Sequence, residues 1–278
     1  MIASHLRPDP VQLGAEWKAL VEAEYEQTER VREWHEQDYY RPVAAHFVDD
    51  PRRPGDALLN ALRSYCAPDA TWLDVGAGGG RNALPLALLS RKVIAIEPSP
   101  AMRDAMSASM LEYGIRNVEV IDARWPDASE RFDVDYSLMA HVGYDIREIN
   151  PFIDGLERAT RRRCFATLMS RAPSGGFTQF WPEIHGEERF VLPALSEFIH
   201  VLLARGVTPE VRLFPRDVEH IEPDQIRHNA RRRLWLTEGS VKDQRLQELV
   251  NDAITRSIED FTEPIVVGLV SWEPKQHP

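Results

Sequence analysis

A carboxylate followed by three alternating glycines is the part of this sequence best suited to binding chemistry. Asp74 precedes Gly76, Gly78 and Gly80, and the chain passes there from a short apolar run into the helical pattern of residues 82–89. A glycine-rich turn between a strand and a helix lets the backbone pass close to a ligand, because no Cβ stands in the way. Since ligands of open α/β sheets bind at the carboxyl ends of strands, the spacing predicts a ligand site at this turn.

The residue types at this turn also indicate which ligand to exclude. The dinucleotide fingerprint Gly-x-Gly-x-x-Gly would require a glycine at position 81, where the chain has Arg81. The carboxylate of Asp74, two residues before the first glycine, would fit poorly beside a pyrophosphate. These residues favour a ligand with a cationic or hydrogen-bond-donating end over a nicotinamide dinucleotide.

Acidic residues also end the next two predicted strands. Glu97 follows the β-branched run 93–96, roughly twenty residues past the first glycine, where α/β nucleotide sites place an acid on the ribose hydroxyls. One carboxylate can accept hydrogen bonds from both hydroxyls. Asp122 follows a predicted strand at 118–121, where it can accept from the exocyclic amine of an adenine, and Trp125 can cover the ring.

These three segments, each at a predicted strand end, resemble the motifs of the class I S-adenosylmethionine-dependent methyltransferases. The resemblance rests on residues 73–80, 96–102 and 122–123, and it extends over roughly residues 60–170. It implies a Rossmann-like domain that binds S-adenosylmethionine and transfers its methyl group.

The resemblance also implies a contact for each part of the cofactor. The glycine turn would pass under the methionine part, and Asp74 would lie near its amino group. Glu97 would bind the ribose hydroxyls, Met102 would pack on the adenine, and Asp122 would receive the adenine amine. The full set of expected cofactor contacts is Asp74, Gly76, Ala77, Gly78, Arg81, Glu97, Pro98, Met102, Asp122, Ala123, Trp125 and Ala140.

In that family the loop after the fourth strand faces the transferred methyl group. Here the loop continues from Ala140 into His141. We expect His141 to act as a general base on the acceptor or to orient it, because imidazole titrates near neutrality. The alternative is a histidine that hydrogen-bonds the cofactor or the backbone. Tyr144 either lines the same pocket or packs in the core.

Two features favour a small-molecule acceptor over nucleic acid. Methyltransferases that act on nucleobase amines resemble one another in an Asn/Asp-Pro-Pro-aromatic motif after the fourth strand, and residues 140–143 depart from it. The formal net charge of −11 gives no general attraction for phosphate backbones. A protein acceptor stays open as an alternative. A second class of function is a catalytically silent protein that binds the cofactor and acts as a partner or regulator.

The remaining composition is typical of a cytoplasmic protein. Cys66 and Cys164 have no neighbours with metal-ligand spacing, and two reduced thiols are the expected state. No apolar run approaches the ~20 residues that span a bilayer, and no secretory signal is visible. We expect no metal and no membrane association, while the sequence makes no prediction of the oligomeric state.

The order of the predicted elements indicates the fold class. Alternating strand and helix patterns predict an α/β fold with three layers and a doubly wound, mostly parallel sheet of seven strands. Residues 1–65 are predicted to form an N-terminal helical cap, and residues 66–278 a Rossmann-like domain. A helical insertion is expected at about 219–262, before a last strand at 265–272, because this connection exceeds the length of a hairpin.

The aromatic residues of the predicted cap have two interpretations. Residues 34–40 are dense in rings, which either pack the cap onto the sheet domain or close over cofactor and substrate as a lid. Tyr39 and Tyr40 are the favoured lid residues, because a phenol can both stack on a ligand and donate a hydrogen bond.

Overall fold

A seven-stranded sheet forms the centre of the computed structural model. The structure describes residues 8–35, 38, 40–127, 129–215, 222–256 and 265–275. The strands are β1 (Thr71–Val75), β2 (Lys92–Ile96), β3 (Val118–Ile121), β4 (Val134–Ala140), β5 (Thr160–Met169), β6 (Glu210–Pro215) and β7 (Val266–Trp272). Their order is β3-β2-β1-β4-β5-β7-β6, and β7 runs in the direction opposite to the other six strands. The predicted mostly parallel sheet is therefore confirmed.

Helices cover both faces of this sheet. The α-helices are α1 (Pro10–Val31), α2 (Ala57–Arg63), α3 (Ala83–Ala87), α4 (Pro100–Tyr113), α5 (Ile149–Ala159), α6 (Trp181–His185), α7 (Leu195–Ala204), α8 (Pro223–Arg233) and α9 (Val241–Arg256). A 3₁₀ helix follows α1, and three shorter 3₁₀ turns complete the regular structure: Arg41–Phe47, Ser129–Arg131, Pro173–Gly175 and Thr178–Phe180.

The buried strand β1 shows how the sequence supports these layers. All five of its residues are buried, and successive side chains enter different cores. Trp72 packs in the core that includes residues of α2, α3 and α4, whereas Leu73 and Val75 pack in the core of α1, α5 and α7. A strand covered on both faces is apolar throughout rather than alternating, and the one charged residue inside it, Asp74, is therefore an exception that needs an explanation.

The strand order creates a crevice between β1 and β4. The chain runs outward from β1 to β3 on one side of this pair and outward from β4 to β5 on the other. At such a reversal, the loops that follow the two central strands diverge and leave room for a ligand. The glycine-rich turn after β1 and the loop that begins at His141 border this crevice.

The strand β5 begins earlier than the sequence predicts. The apolar pattern of the sequence predicts a strand from Cys164 to Met169, but β5 already includes the three preceding arginines. Arg161 pairs with Asp133 and Asp135, and Arg162 also pairs with Asp135. The run of charge belongs to the strand because acidic side chains lie beside it, which a reading of apolar periodicity does not detect.

The helices at both ends of the chain pack on shared apolar surfaces. Trp17 of α1 is buried in the main core, and its indole N–H donates to the carbonyl of Ile146 at 2.8 Å. The helices α6, α8 and α9 form a further apolar cluster, against which Val31 at the end of α1 packs. The N-terminal helix therefore contacts both the sheet layers and this cluster. The domain boundary at residue 65 stays a prediction.

A buried ion pair joins α5 to the end of α7 and to β7. The carboxylate of Glu157 accepts from Arg205 at 2.9 Å and from the indole N–H of Trp272 at 3.1 Å, and its side chain is fully buried. Removing one member of a buried pair leaves its partners unsatisfied. We expect Glu157→Ala to lower the free energy of unfolding by about 3 kcal/mol, as measured by urea denaturation.

Glu183→Ala is the matched control for this prediction. Its pair with Arg245 has side chains that are 56% and 51% exposed. Exposed pairs contribute less than about 1 kcal/mol, because water screens both charges. Equal losses of stability in the two variants would contradict a special role for the buried pair.

Candidate active site

The turn after β1 has the backbone geometry that its glycines favour. The φ angle is +70° at Gly76 and +56° at Gly78, in the left-handed region that residues with a Cβ rarely adopt. The amides of Gly76 and Ala77 both donate to the carbonyl of Ile96, at 2.8 and 3.1 Å. The turn is thus held against the end of β2, next to Glu97.

Two distant segments approach this turn closely. A methyl group added to Gly76 would collide with Val142, and one added to Gly79 would lie 2.8 Å from the carbonyl oxygen of Phe47. Val142 directly follows His141, and Phe47 is the last residue of the N-terminal 3₁₀ helix. The loop after β4 and the N-terminal segment therefore both border the glycine turn. By N-terminal segment we mean the described residues from Glu33 to Phe47.

Asp74 is a buried carboxylate without a hydrogen-bond partner among the described residues. It is 1% exposed, and neither of its oxygens accepts a hydrogen bond from any described side chain or amide. Burial, together with the negative charge of Glu97, raises its pKa from 3.8 to about 7, and the nearby amide of Ala83 only partly offsets this. A buried acid of this kind favours a ligand that brings a positive charge or hydrogen-bond donors.

Glu97 lies between the glycine turn and the start of α4. One carboxylate oxygen accepts from the amide of Gly78 and the other from the amide of Ser99, both at 2.8 Å. Burial raises the pKa of Glu97, although these two amides oppose the shift. The carboxylate is therefore oriented by the backbone on both sides while it keeps lone pairs for further donors.

The two residues that are expected to contact the adenine, Asp122 and Trp125, lie in different environments. The carboxylate of Asp122 is 69% exposed and receives two hydrogen bonds from Arg103, both at 2.9 Å. Trp125 is buried, and its indole N–H donates to the carbonyl of Phe152 at 3.1 Å. Its ring lies against α5 and fills the core there. Trp125 therefore has a packing role, and its expected contact with an adenine stays a prediction.

The other expected cofactor contacts lie around the same turn. Met102 is buried, with its sulfur 3.9 Å from a methyl group placed on Gly78. Arg81 has a half-exposed side chain that pairs with Asp49 at 3.6 Å. Three further residues are half-buried or exposed at this edge of the sheet: Pro98, Ala123 and Ala140.

His141 leaves the end of β4 in a strained backbone conformation. Its φ is +56°, and its amide donates to the carbonyl of Thr167 at 2.8 Å. Its Nδ1 atom lies 3.4 Å from the hydroxyl of Tyr144. A bulky residue in the left-handed region persists only where its surroundings impose that conformation, and such residues cluster at functional sites.

Tyr144 is buried beside this histidine. Its hydroxyl accepts from the amide of Met169 at 2.8 Å, and burial raises its pKa to about 12. Its ring belongs to the main apolar core. The structure therefore gives Tyr144 a packing position from which its hydroxyl reaches the ring of His141.

The N-terminal segment contributes a residue that sequence reasoning missed. Tyr39 lies outside the described residues, and Tyr40 is exposed with its ring edge-on to Phe47. Asp38, however, accepts hydrogen bonds at the start of α4, including one from Ser99, which is 61 residues away in the chain. No periodicity or motif in the sequence reports a contact over such a separation.

Other classes of site receive no support from the described part of the chain. Within it, no group of three histidine, cysteine, aspartate or glutamate side chains could hold a metal ion. No helix among these residues is long and apolar enough to cross a membrane. Both cysteines are free thiols, and burial raises the pKa of Cys164 to about 12, which keeps that thiol protonated at neutral pH.

Comparison with known proteins identifies the central part of the chain. Residues 73–163 match the family model described as a methyltransferase domain. An uncharacterized protein of Haemophilus influenzae is 23% identical over 168 residues, which cover 59% of this chain and 60% of that protein. The match therefore spans less than two thirds of that relative's length.

Two solved structures show the same fold. The YcgJ protein of Bacillus subtilis has a TM-score of 0.55 and 12% identity, covering 79% of this chain and 98% of that chain. A candidate methyltransferase of Bacillus halodurans has a TM-score of 0.55, 14% identity and the same coverage of both chains. Identities this low show the fold alone. The stretch from β1 into β5 therefore matches a methyltransferase domain, and the chain has the fold of these two structures.

Proposed function

We propose that the protein transfers a methyl group from S-adenosylmethionine to a small-molecule acceptor. The match of residues 73–163 to a methyltransferase domain supports methyl transfer, and the donor and the class of acceptor are further parts of the proposal. The observation that carries it is the buried carboxylate of Asp74, which lacks a hydrogen-bond partner among the described residues and lies just before the glycine turn. A ligand with a cationic amino group would supply the partner that the fold omits.

The described residues fit S-adenosylmethionine at more than one point. The ammonium group of its methionine part matches Asp74 in charge. The two ribose hydroxyls match Glu97, whose oxygens already accept from Gly78 and Ser99 and can accept further hydrogen bonds. Asp122 is exposed and can receive the adenine amine while it remains paired with Arg103.

When bound, the cofactor supplies a sulfonium whose methyl group is already activated for displacement. The task of the protein is then to orient the acceptor and to exclude water from it. His141 follows β4 at the crevice, where its imidazole would orient the acceptor or accept its proton. Tyr144, with its hydroxyl 3.4 Å from Nδ1, limits the rotation of that ring.

The charge distribution supports a small molecule over nucleic acid. The formal net charge is −11. The chain has two arginine runs, at 161–163 and 231–233. Residues of both are engaged in ion pairs, as Arg161 is with Asp133 and Arg231 with Asp243. Such pairs reduce the positive potential that phosphate backbones require. Incubation with methyl-labelled S-adenosylmethionine and a low-mass cell extract tests the proposal, because label should enter the small-molecule fraction.

The alternative function is a catalytically silent cofactor-binding protein. It predicts binding of S-adenosylmethionine without transfer to small molecules, proteins or RNA. Label that enters only protein or RNA would overturn the small-molecule proposal while leaving methyl transfer in place.

The cofactor assignment is tested first at Glu97. Glu97→Ala should weaken binding of S-adenosylhomocysteine by about 1.5–3 kcal/mol, because hydrogen bonds to a charged acceptor are lost. Isothermal titration calorimetry measures this change. Glu119→Ala is the control, since Glu119 lies on β3 and pairs with Lys92 at the surface. Equal affinities for the wild type and both variants would remove Glu97 from the site.

The charge of Asp74 should oppose folding and support binding. In the unfolded chain an aspartate ionises near pH 3.8, whereas folded Asp74 stays protonated up to about pH 7. Stability should therefore fall as the pH rises between these values. Asp74→Asn should be more stable than the wild type above pH 7, by on the order of 4 kcal/mol, and equally stable near pH 4.

The same substitution should weaken cofactor binding, because the amide carries no charge to match the ammonium group. Wild-type affinity should also decline below pH 7 as Asp74 becomes protonated. Urea denaturation and calorimetry over a pH series measure both effects. An unchanged stability of Asp74→Asn at pH 8 would show that the carboxylate already has a compensating partner.

The role of His141 is tested by turnover once an acceptor is known. His141→Asn is the better variant, because asparagine tolerates the left-handed backbone found at this position. If His141 is a general base, this substitution should lower turnover by about 10²–10⁴-fold, with little change in cofactor affinity. A loss of cofactor affinity with normal turnover at saturation would instead place His141 in the cofactor wall.

A further inference from the structure

We propose that Asp38 is a positioning residue that seats the N-terminal segment against the cofactor site and holds Glu97 in place through Ser99. The identity of the ligand in this proposal rests on the proposed function. The contacts of Asp38 themselves belong to the unliganded protein, so they can be tested without any ligand.

Asp38 completes the N-terminus of α4. The Ser99 hydroxyl lies 3.0 Å from both carboxylate oxygens of Asp38, and the amide of Ala101 donates to one of them at 3.2 Å. Ser99 in turn caps the helix by accepting from the amide of Met102 at 3.2 Å. The first free amides of α4 are therefore satisfied by one local side chain and by one that arrives from the N-terminal segment.

A continuous chain of hydrogen bonds leads from Asp38 to the glycine turn. The Ser99 hydroxyl donates to Asp38, and the amide of the same Ser99 donates to Glu97 at 2.8 Å. The other oxygen of Glu97 accepts from the amide of Gly78 at 2.8 Å. Because Ser99 holds both carboxylates, a displacement of Asp38 would be transmitted to Glu97.

Two other described residues of the N-terminal segment, Glu33 and Phe47, contact other parts of the chain. Before Asp38, the backbone amide of Glu33 donates to the carbonyl of Trp235, and the Glu33 carboxylate accepts from the amide of Thr237, both at 2.8 Å. After Asp38, the carbonyl of Phe47 lies against Gly79. Asp38 thus hydrogen-bonds the start of α4 in a segment whose described residues also touch the turn after α8 and the glycine turn.

The negative charges of Asp38 and Glu97 couple the position of the N-terminal segment to ligand binding. Burial opposes the ionisation of Asp38, but hydrogen bonds from Ala101, Ser99 and Tyr40 outweigh it and keep its pKa below the ordinary value. Asp38 is therefore a second negative charge near Glu97, whose pKa is raised mainly by burial. Hydrogen bonds donated by a ribose to Glu97 would offset this repulsion, so ligand binding and the seated position of Asp38 should support each other.

Hydrogen–deuterium exchange of the ligand-free protein tests the contact itself. Asp38→Ala should speed exchange at the amide of Ala101 and across residues 41–47 by on the order of tenfold. Asp38→Asn keeps an acceptor oxygen and should restore most of the protection. Asp9→Ala is the matched control, because Asp9 caps α1 by accepting from the amide of Val11 at 2.7 Å and lies outside this network. Unchanged exchange in Asp38→Ala would overturn the proposal.

A double-mutant cycle with Glu97 tests the positioning role. Asp38→Ala should speed dissociation of S-adenosylhomocysteine and raise the KM for S-adenosylmethionine by on the order of tenfold, with kcat changed less than about twofold. In a Glu97→Ala background the same substitution should add little, because the two residues act through one network. Effects that multiply independently would reduce Asp38 to a helix cap and overturn the positioning role. If the wild type binds no S-adenosylhomocysteine, the proposed function fails, and the exchange result alone decides on Asp38.

Discussion

The burial of Asp74 is the constraint on which the rest of the site depends. A carboxylate in a strand that is covered on both faces must either stay protonated or acquire a partner. Its pKa of about 7 places Asp74 near the balance between these two states at physiological pH. The fold therefore accepts a loss of stability at this position. A ligand that brings a positive charge recovers that loss, which couples the affinity of the site to the burial of the strand.

The backbone of the glycine turn is a second constraint on the site. Its glycines, of which Gly76 and Gly78 are left-handed, allow three segments to converge: the loop after β4 at Gly76, the start of α4 at Gly78 and the N-terminal 3₁₀ helix at Gly79. A turn with side chains would separate these segments. The glycines thus serve the assembly of the site as much as access for a ligand, because a Cβ at Gly76 or Gly79 would collide with segments that are distant in sequence.

The features that sequence reasoning predicted correctly are those with a local cause. A buried strand, a turn and a carboxylate follow one another within a few residues at Asp74 and again at Glu97, so periodicity and spacing are sufficient to place them. The packing of Trp125 on α5 was not apparent from the sequence, because a tryptophan beside a nucleotide motif and a tryptophan packed under a helix have the same sequence context. The start of β5 was missed because charged partners, rather than apolar alternation, stabilise its first residues.

The contacts made by Asp38 lay beyond prediction for a different reason. Two donors to its carboxylate belong to α4 and the residue before it, far along the chain, and they meet Asp38 only because α1 packs against the sheet layers. Ser99 is recognisable in the sequence as a helix cap before Pro100. The pattern does not show that an acidic residue from the N-terminal segment, Asp38, shares the cap. Long-range contacts of this kind become visible only in three dimensions.

Three aromatic residues have a backbone conformation that the local sequence does not explain. His141, Phe177 and Trp235 all have positive φ, at 56°, 64° and 59°, although each is a bulky residue that disfavours this region. Such a conformation costs about 1–3 kcal/mol, and tertiary packing has to supply it. Phe177 and Trp235 both pack on the apolar cluster of α6, α8 and α9. Local motifs therefore place the glycine turn and its neighbouring carboxylates, whereas packing between distant elements imposes the backbone conformations of Phe177 and Trp235.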